Sequence, residues 1–425
     1  MPIEAKTTIA GSHVNGHGLP GKAVRRRTAV VFPGQGAYRP GILQELRTAS
    51  PESGAVLEEI SAALDGGLDR LLGRDRDASP EDLAADAPDL LQTAVFAASV
   101  ALWAARHRDL PDDAVLVGHS LGEIAAATCA GAFSIADGAR ILQARNDALM
   151  DLTVRDGGMV ALGLDDARAS ALLRFVDDPT LAVACRNAPD QTVVSGSSGA
   201  LARVGETARA LAVPAAALPA PFPFHGPRMA PVAARHRELI DGIPQRPLSW
   251  NLYSTLRRRH LTDADDIGAT LVDQELVTVD FLDAVRTLHA HGVRDFVECG
   301  AGETMVRAVR RSVPAVDCRT WDERQEHRPA PPVERSPAPD EPPEDVLDAL
   351  RALYAEVLGY PVEVMADDAD LEADLGVDSL KQTELLVRAA GRFGLPETGD
   401  LKVSDLPTLA CVADEVRRRL DHGTR

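Results

Sequence analysis

The sequence predicts an α/β body that carries an inserted α+β unit and is followed by a small helical bundle. Three observations lead there. Apolar, β-branched runs end twice in glycine-rich turns that feed helices, which is the grammar of an α/β sheet. A later stretch alternates strand and helix in the order βαββαβ. Seven prolines between residues 322 and 343 then separate everything before them from a short acidic segment with helical stripes.

The first strand is Thr28 to Phe32 (TAVVF), closed by the turn Pro33-Gly34-Gln35-Gly36. Gln92 to Arg106 reads as the clearest helix. Ala114 to Val117 is the next strand; it runs through Gly118-His119-Ser120-Leu121-Gly122-Glu123 into the alanine-rich helix Ile124 to Ala130. From Gly158 to Pro219 come the strand MVALGL, a helix, the strands LAVACRNA and QTVVSG, a second helix and the short strand VPAAALP, an order read as a ferredoxin-like subdomain over about residues 152–219. The strand Asp295 to Glu298 and its turn at Gly300 to Gly302 return to the earlier style, so the body extends over residues 28–321. Residues 1–27 contain no long apolar stretch and read as a flexible tail without a secretory signal.

The segment 322–343 is a linker of 22 residues, which at about 3.1 Å each in an extended proline-rich conformation reaches some 70 Å. Beyond it, residues 344–421 hold apolar stripes at helical spacing over Asp345 to Leu358, Leu380 to Val387 and Leu409 to Leu420. From Glu344 onward nine basic residues face 18 acidic ones, nearly half of the net charge of −19 carried by all 425 residues. A balance this acidic repels nucleic-acid phosphates and anionic membrane surfaces, so neither is an expected partner. No run of about 20 apolar residues is apparent, as a membrane span would need. The five scattered cysteines form no CxxC pair, which excludes the commonest metal and redox motifs and fits a reducing, cytoplasmic setting.

GHSLG at 118–122 has the form G-x-S-x-G, the nucleophile elbow of α/β-hydrolase-like bodies, and its position between an apolar strand and a helix is where that elbow belongs. Ser120 is therefore the expected nucleophile. The backbone amide of Leu121 and one from the Gln35 turn are the expected oxyanion donors. Of the 11 histidines, His225 in the constrained loop PFPFHGPRM is the expected base. His119, adjacent to the serine on the elbow, points another way. Arg145 alone reads as a solvated helix arginine near Asp147; its reading as a fork for a substrate carboxylate comes only with the resemblance below. Ser379, in DLGVDSL, reads alone as a helix N-cap.

VFPGQG at 31–36, GHSLGE at 118–123, CAGAFSIADGARILQARNDALM at 129–150, CRNAPDQTVVSG at 185–196, PFPFHGPRM at 221–229 and Gln274 ahead of Val279-Asp280-Phe281 together resemble the malonyl-CoA:acyl carrier protein acyltransferase family, in family order. The resemblance implies a Ser120–His225 dyad with no orienting carboxylate, an oxyanion hole at Gln35 and Leu121, Arg145 as carboxylate clamp, and Asn187 and Gln274 as further substrate-site residues. Leu121 and Phe224 resemble the pattern of polyketide acyltransferases that take malonyl rather than methylmalonyl units. Gly226, Thr278 and Ala301 depart from residues frequent in the family, Ser, Pro and Pro respectively. LEADLGVDSLKQTELL at 371–386 resembles an acyl carrier protein, a four-helix bundle, which implies 4'-phosphopantetheine attached to Ser379 by a separate phosphopantetheinyl transferase.

The implied activity is transfer of a malonyl group from malonyl-CoA through acyl-Ser120 to a carrier thiol, in cis and also in trans, with a ketosynthase partner for condensation. The alternatives are an editing hydrolase that discharges acyl thioesters to water and an inert carrier or docking module. No metal is expected.

Overall fold

The computed structural model describes residues 27–151 and 156–321, and in the C-terminal unit 346–358, 408–423 and a few core positions between them (371, 382, 385, 386, 388, 389, 392, 393, 406). The chain divides into two compact units, residues 1–327 and 328–425.

In the large unit β1 (Arg27–Phe32) is followed by α1 (Ile42–Ala49), α2 (Pro51–Ala63), α3 (Asp69–Leu72), α4 (Pro80–Asp86) and α5 (Pro88–Arg106), then β2 (Val115–Gly118), α6 (Gly122–Cys129) and α7 (Ile135–Met150). The inserted segment comprises β3 (Gly158–Leu162), α8 (Asp166–Val176), β4 (Ala182–Ala188), β5 (Gln191–Gly196), α9 (Ser198–Ala210) and β6 (Ala215–Ala217). The chain returns through α10 (Ala230–Ile240), β7 (Asn251–Ser254), β8 (Arg259–His260), α11 (Ile267–Asp273), β9 (Val279–Asp280), α12 (Phe281–Ala290), β10 (Val293–Glu298), α13 (Thr304–Ser312) and β11 (Asp317–Thr320).

The main sheet has the order β11-β10-β1-β2-β7-β8, with β1 parallel to both β2 and β10 and only β8 antiparallel to its neighbour. Its central strands carry apolar runs, Ala29–Phe32 in β1 and Val115–Val117 in β2, because both faces are covered, and the twofold alternation of side chains sorts them into two cores. Val30, Phe32, Leu116 and Val297 pack with α1, α2, α5 and α6 on one side. Ala29, Val31, Val115, Val117 and Phe296 pack with α12 and α13 on the other. The register sets Phe32 beside Gly118 and Val31 beside Glu298, so the turns leaving β1, β2 and β10 emerge together at one edge. Crevices at the carboxyl ends of parallel strands are where α/β sheets hold their ligands.

The second sheet runs β6-β3-β5-β4-β9. Its first four strands are antiparallel, in the βαββαβ chain order expected, and α8 and α9 share a core with β3 and β5. The fifth strand is a correction to the expectation of a unit closed by residue 219: Val279 and Asp280 pair in parallel with Cys185 and Arg186. Thr278, one of the departures noted above, supports this edge, since its hydroxyl donates to the Val183 carbonyl at 2.7 Å.

α5 corrects a second expectation. With the turn that follows it, Pro88–Asp109, it is long and apolar enough to cross a membrane by length and composition, but 83% of its most apolar stretch is buried inside the unit. All five cysteines are free. In the C-terminal unit the helices Val346–Leu358 and Leu409–Gly423 share a core built on Leu350, Tyr354, Leu385, Leu409 and Val412. The linker and Ser379 lie outside the described residues; of the second predicted helix, Gln382, Leu385 and Leu386 are described, and all three are helical.

Candidate active site

The elbow between β2 and α6 exists because two glycines let the backbones nearly touch. A Cβ on Gly122 would stand 2.1 Å from the Phe32 carbonyl oxygen, and one on Gly118 would stand 2.3 Å from the Glu123 backbone. Ser120, between them, sits at φ 54°, a left-handed conformation that costs a non-glycine residue of the order of 1 kcal/mol and turns its side chain out of the sheet edge. His225 also has positive φ, at 59°. The two meet: Ser120 Oγ lies 2.7 Å from His225 Nε2.

The tautomer follows from the opposite side of the ring. His225 Nδ1 is 2.6 Å from the Gln274 backbone carbonyl, which can only accept, so Nδ1 carries the proton and Nε2 presents its lone pair to the serine hydroxyl. Burial pushes the imidazole down to about 3, and the nearby Arg145 cation adds to the same direction against the Gln274 bond. The ring is therefore neutral across the physiological range. A backbone carbonyl fills the place that an Asp holds in a Ser-His-Asp triad.

The remaining predicted residues gather on the same pocket, a cavity of about 200 Å³ lined by Gln35, Ser120, Leu121, Arg145, Asn187, Phe224 and His225 among others. His119 Nε2 donates to Asn187 Oδ1 at 2.8 Å, and its ring meets Phe281 edge-on. Asn187 thus anchors His119 on the elbow and keeps it from competing for the serine. The Gln35 side chain donates to the Pro219 carbonyl at 3.2 Å, tying the turn after β1 to the inserted unit. Backbone hydrogen bonds at the start of α6 run from the Gly122 amide to His119 and from the Glu123 amide to Ser120, beyond the Leu121 amide in the chain.

Gln274 requires a correction. It does not line the pocket; its backbone carbonyl holds His225, while its side-chain amide is buried without a hydrogen-bond partner among the described residues. Arg145 is likewise no solvated helix residue paired with Asp147. It is 1% exposed, its guanidinium donates to Gln92 Oε1, and its centre lies 4.9 Å from the middle of the Phe224 ring. Its Nε stands 3.5 Å from Glu275 Oε1, and Glu275 in turn meets His236 Nδ1 at 2.7 Å. Gln92, Glu275 and His236 were not singled out in the sequence. An acid set among Leu271, Val272, Leu276 and Val277 was the available signal, because a carboxylate in an apolar run is rarely buried without a partner.

Among the described residues no group of His, Cys, Asp or Glu is arranged to hold a metal. The constellation is that of a serine–histidine enzyme of covalent acyl chemistry, in which a neutral imidazole activates a strained serine at the mouth of an apolar pocket with one buried cation. Residues 30–325 match the acyl transferase domain family, and residues 348–416 match the phosphopantetheine attachment site family, whose members carry 4'-phosphopantetheine covalently. The chain belongs to the acyl transferase family, with a carrier domain fused at its C-terminal side. It is 35% identical over 307 residues to polyketide synthase GfsE of Streptomyces halstedii, a match covering 69% of this chain and 8% of that one. With the pikromycin polyketide synthase component PikAIII of Streptomyces venezuelae the identity is 32%, over 68% of this chain and 18% of that one. The chain thus spans less than a fifth of the length of these relatives. Among solved structures, the acyltransferase domain from the second module of the salinomycin polyketide synthase aligns with TM-score 0.63 and 28% identity, covering 70% of this chain and 69% of that one. The malonyl CoA-acyl carrier protein transacylase of Coxiella burnetii aligns with TM-score 0.65 and 27% identity over 70% and 94%.

Proposed function

We propose that this acyltransferase moves a malonyl unit from malonyl-CoA through an ester on Ser120 to the thiol of a carrier domain, its own C-terminal one first, within a polyketide assembly line. The observation that carries the reading is the Ser120–His225–Gln274 chain of hydrogen bonds, which fixes a neutral imidazole with its lone pair on the serine hydroxyl. His225 Nε2 takes the hydroxyl proton as Oγ attacks the thioester carbonyl. The oxyanion forms against the Leu121 and Gln35 amides. Collapse breaks the C–S bond, and His225 returns its proton to the departing CoA sulfur. 4'-Phosphopantetheine on Ser379 supplies the acceptor thiol. His225 takes the proton of that thiol and gives it back to Ser120 Oγ when the ester is cleaved, so each half-reaction leaves the dyad as it found it.

Arg145 is the clamp for the acyl carboxylate, and Phe224, stacked beside it, fills the space an α-methyl branch would need. The partners this implies are malonyl-CoA, carrier domains in cis and in trans, a phosphopantetheinyl transferase and a ketosynthase.

Intact mass of the pantetheinylated chain, incubated with malonyl-CoA, methylmalonyl-CoA or acetyl-CoA, tests the reading. A malonyl adduct at both serines is expected, with Ser120→Ala losing it at the carrier. Full carrier loading in Ser120→Ala would falsify the mechanism, and steady release of free malonate without an adduct would point to hydrolysis instead.

A further inference from the structure

Behind Arg145 lies a pair of groups that the mechanism above does not use. Glu275 and His236 are both fully buried, on the turn after α11 and on α10. His236 Nε2 is 3.1 Å from the Ile141 backbone carbonyl, and His236 Nδ1 is 2.7 Å from Glu275 Oε1. Both ring nitrogens therefore face oxygens that accept. The Ile141 carbonyl has no proton to give, so Nε2 must carry one; otherwise two lone pairs would oppose each other in a dry site. A second proton must then lie between Nδ1 and Oε1, either on the ring, as imidazolium with carboxylate, or on Glu275, as carboxylic acid with neutral imidazole. The pair sums to zero charge in both forms.

Arg145 is the group this protects. Its Nε approaches Glu275 only to 3.5 Å, and Arg145 Nε and Glu275 Oε2 are both buried without a hydrogen-bond partner, so the guanidinium is near the acid but not captured by it. Other charges on the elements packed against α10 are turned elsewhere. Asp273 pairs with Arg237 and Arg257, and Arg228 lies against Asp156. On α7, Asp137 pairs with Arg140, and Asp147 accepts from Gln143. Glu275 is the charged group against His236, and Arg145 lies beyond it against Glu275.

We propose that His236 and Glu275 form a proton-sharing, net-neutral pair that leaves Arg145 its full positive charge and so sets the preference of the pocket for acyl groups ending in a carboxylate. Without the shared proton, Glu275 would be a bare anion 3.5 Å from the guanidinium, and a substrate carboxylate would enter a site already neutralised. His236 and Glu275 are positioning residues, and the inference rests on Arg145 being the carboxylate clamp.

The test reads the ratio of kcat/KM for malonyl-CoA to that for acetyl-CoA in the full, pantetheinylated chain. Arg145→Ala should collapse the ratio; an unchanged ratio ends the clamp reading and the role of the pair with it. With the clamp established, His236→Leu leaves Glu275 ionised beside Arg145 and should lower the ratio about tenfold or more, chiefly through KM for malonyl-CoA. The double variant His236→Leu/Glu275→Leu removes the stranded anion and should restore the ratio to within threefold of the parent, which simple damage to packing cannot do. A single variant with an unaltered ratio, or a double variant as poor as the single, overturns the proposal. Should the single variant not fold, histidine-selective 15N spectra of the parent decide: Nε2 of His236 must carry a proton and Nδ1 must be hydrogen-bonded through a shared proton, held on the ring or donated by Glu275; an Nδ1 with no hydrogen-bonded proton overturns it.

Discussion

At the residue scale, the dyad differs from a solvated histidine in when it can be switched off. Burial depresses His225 to about 3, whereas the unfolded chain takes up a proton near 6.5. Above that range the base is free in both states; on acidification the folded ring resists protonation and the unfolded one does not, so stability falls from pH 6.5 downward while the dyad itself stays competent. The rate of Ser120 acylation, followed by single-turnover mass spectrometry, should therefore show no acid limb at pH 6 to 7. A limb at 6.5 would place His225 in water and contradict its burial. Ser120 and His225 were legible in the sequence because each sits in a short motif whose glycines or prolines force the backbone. Glu275 and His236 were not, because their meaning arises only where α7, α10 and the turn after α11 converge across many residues of chain.

At the element scale, the sheet edge is built from close approaches and buried caps. Gly122→Ala would press a methyl group against the Phe32 carbonyl and separate α6 from β1; a loss of about 3 kcal/mol is expected in denaturant unfolding, together with loss of acylation. Glu298, at the end of β10, accepts from the Met305 and Val306 amides at 2.9 and 3.0 Å and so caps α13. Burial raises its carboxyl to about 7, well above the value near 4.5 expected when unfolded. The folded state thus holds this proton more tightly. The associated stability is full below about pH 4.5 and is lost as pH rises through 7, a change of about 3 kcal/mol. Thermal unfolding of the parent should reflect that slope between pH 5 and 8, and Glu298→Gln should flatten it; equal slopes would mean the carboxyl is already ionised. Strands β1, β2 and β10 could be read from apolar runs with turns at their ends. Strand β9 could not: two residues carry no periodicity, and its pairing with β4 depends on contacts made from 94 positions away, as between Arg186 and Asp280.

At the scale of the whole molecule, an acyl transferase domain and a carrier domain share one chain. With transfer in cis as proposed, a tether of 22 residues would give the carrier an effective concentration of order millimolar. Under the proposed cis transfer, self-loading per molecule should be constant over a hundredfold dilution and resist competition by micromolar free carrier. Loading that falls in proportion to concentration would establish transfer between molecules. The division into a large unit and a small acidic one was visible in the sequence through the proline run and the charge, since both are compositional. The way the inserted unit meets the main sheet is not compositional, and the stretch from Gln274 to Phe281 shows why. Within eight residues it supplies the carbonyl that orients His225, adds a strand to the second sheet and begins a helix packed on the first. That stretch works as a hinge pin driven through both plates of the enzyme, so the alignment of the dyad and the seating of the two sheets depend on one short piece of chain.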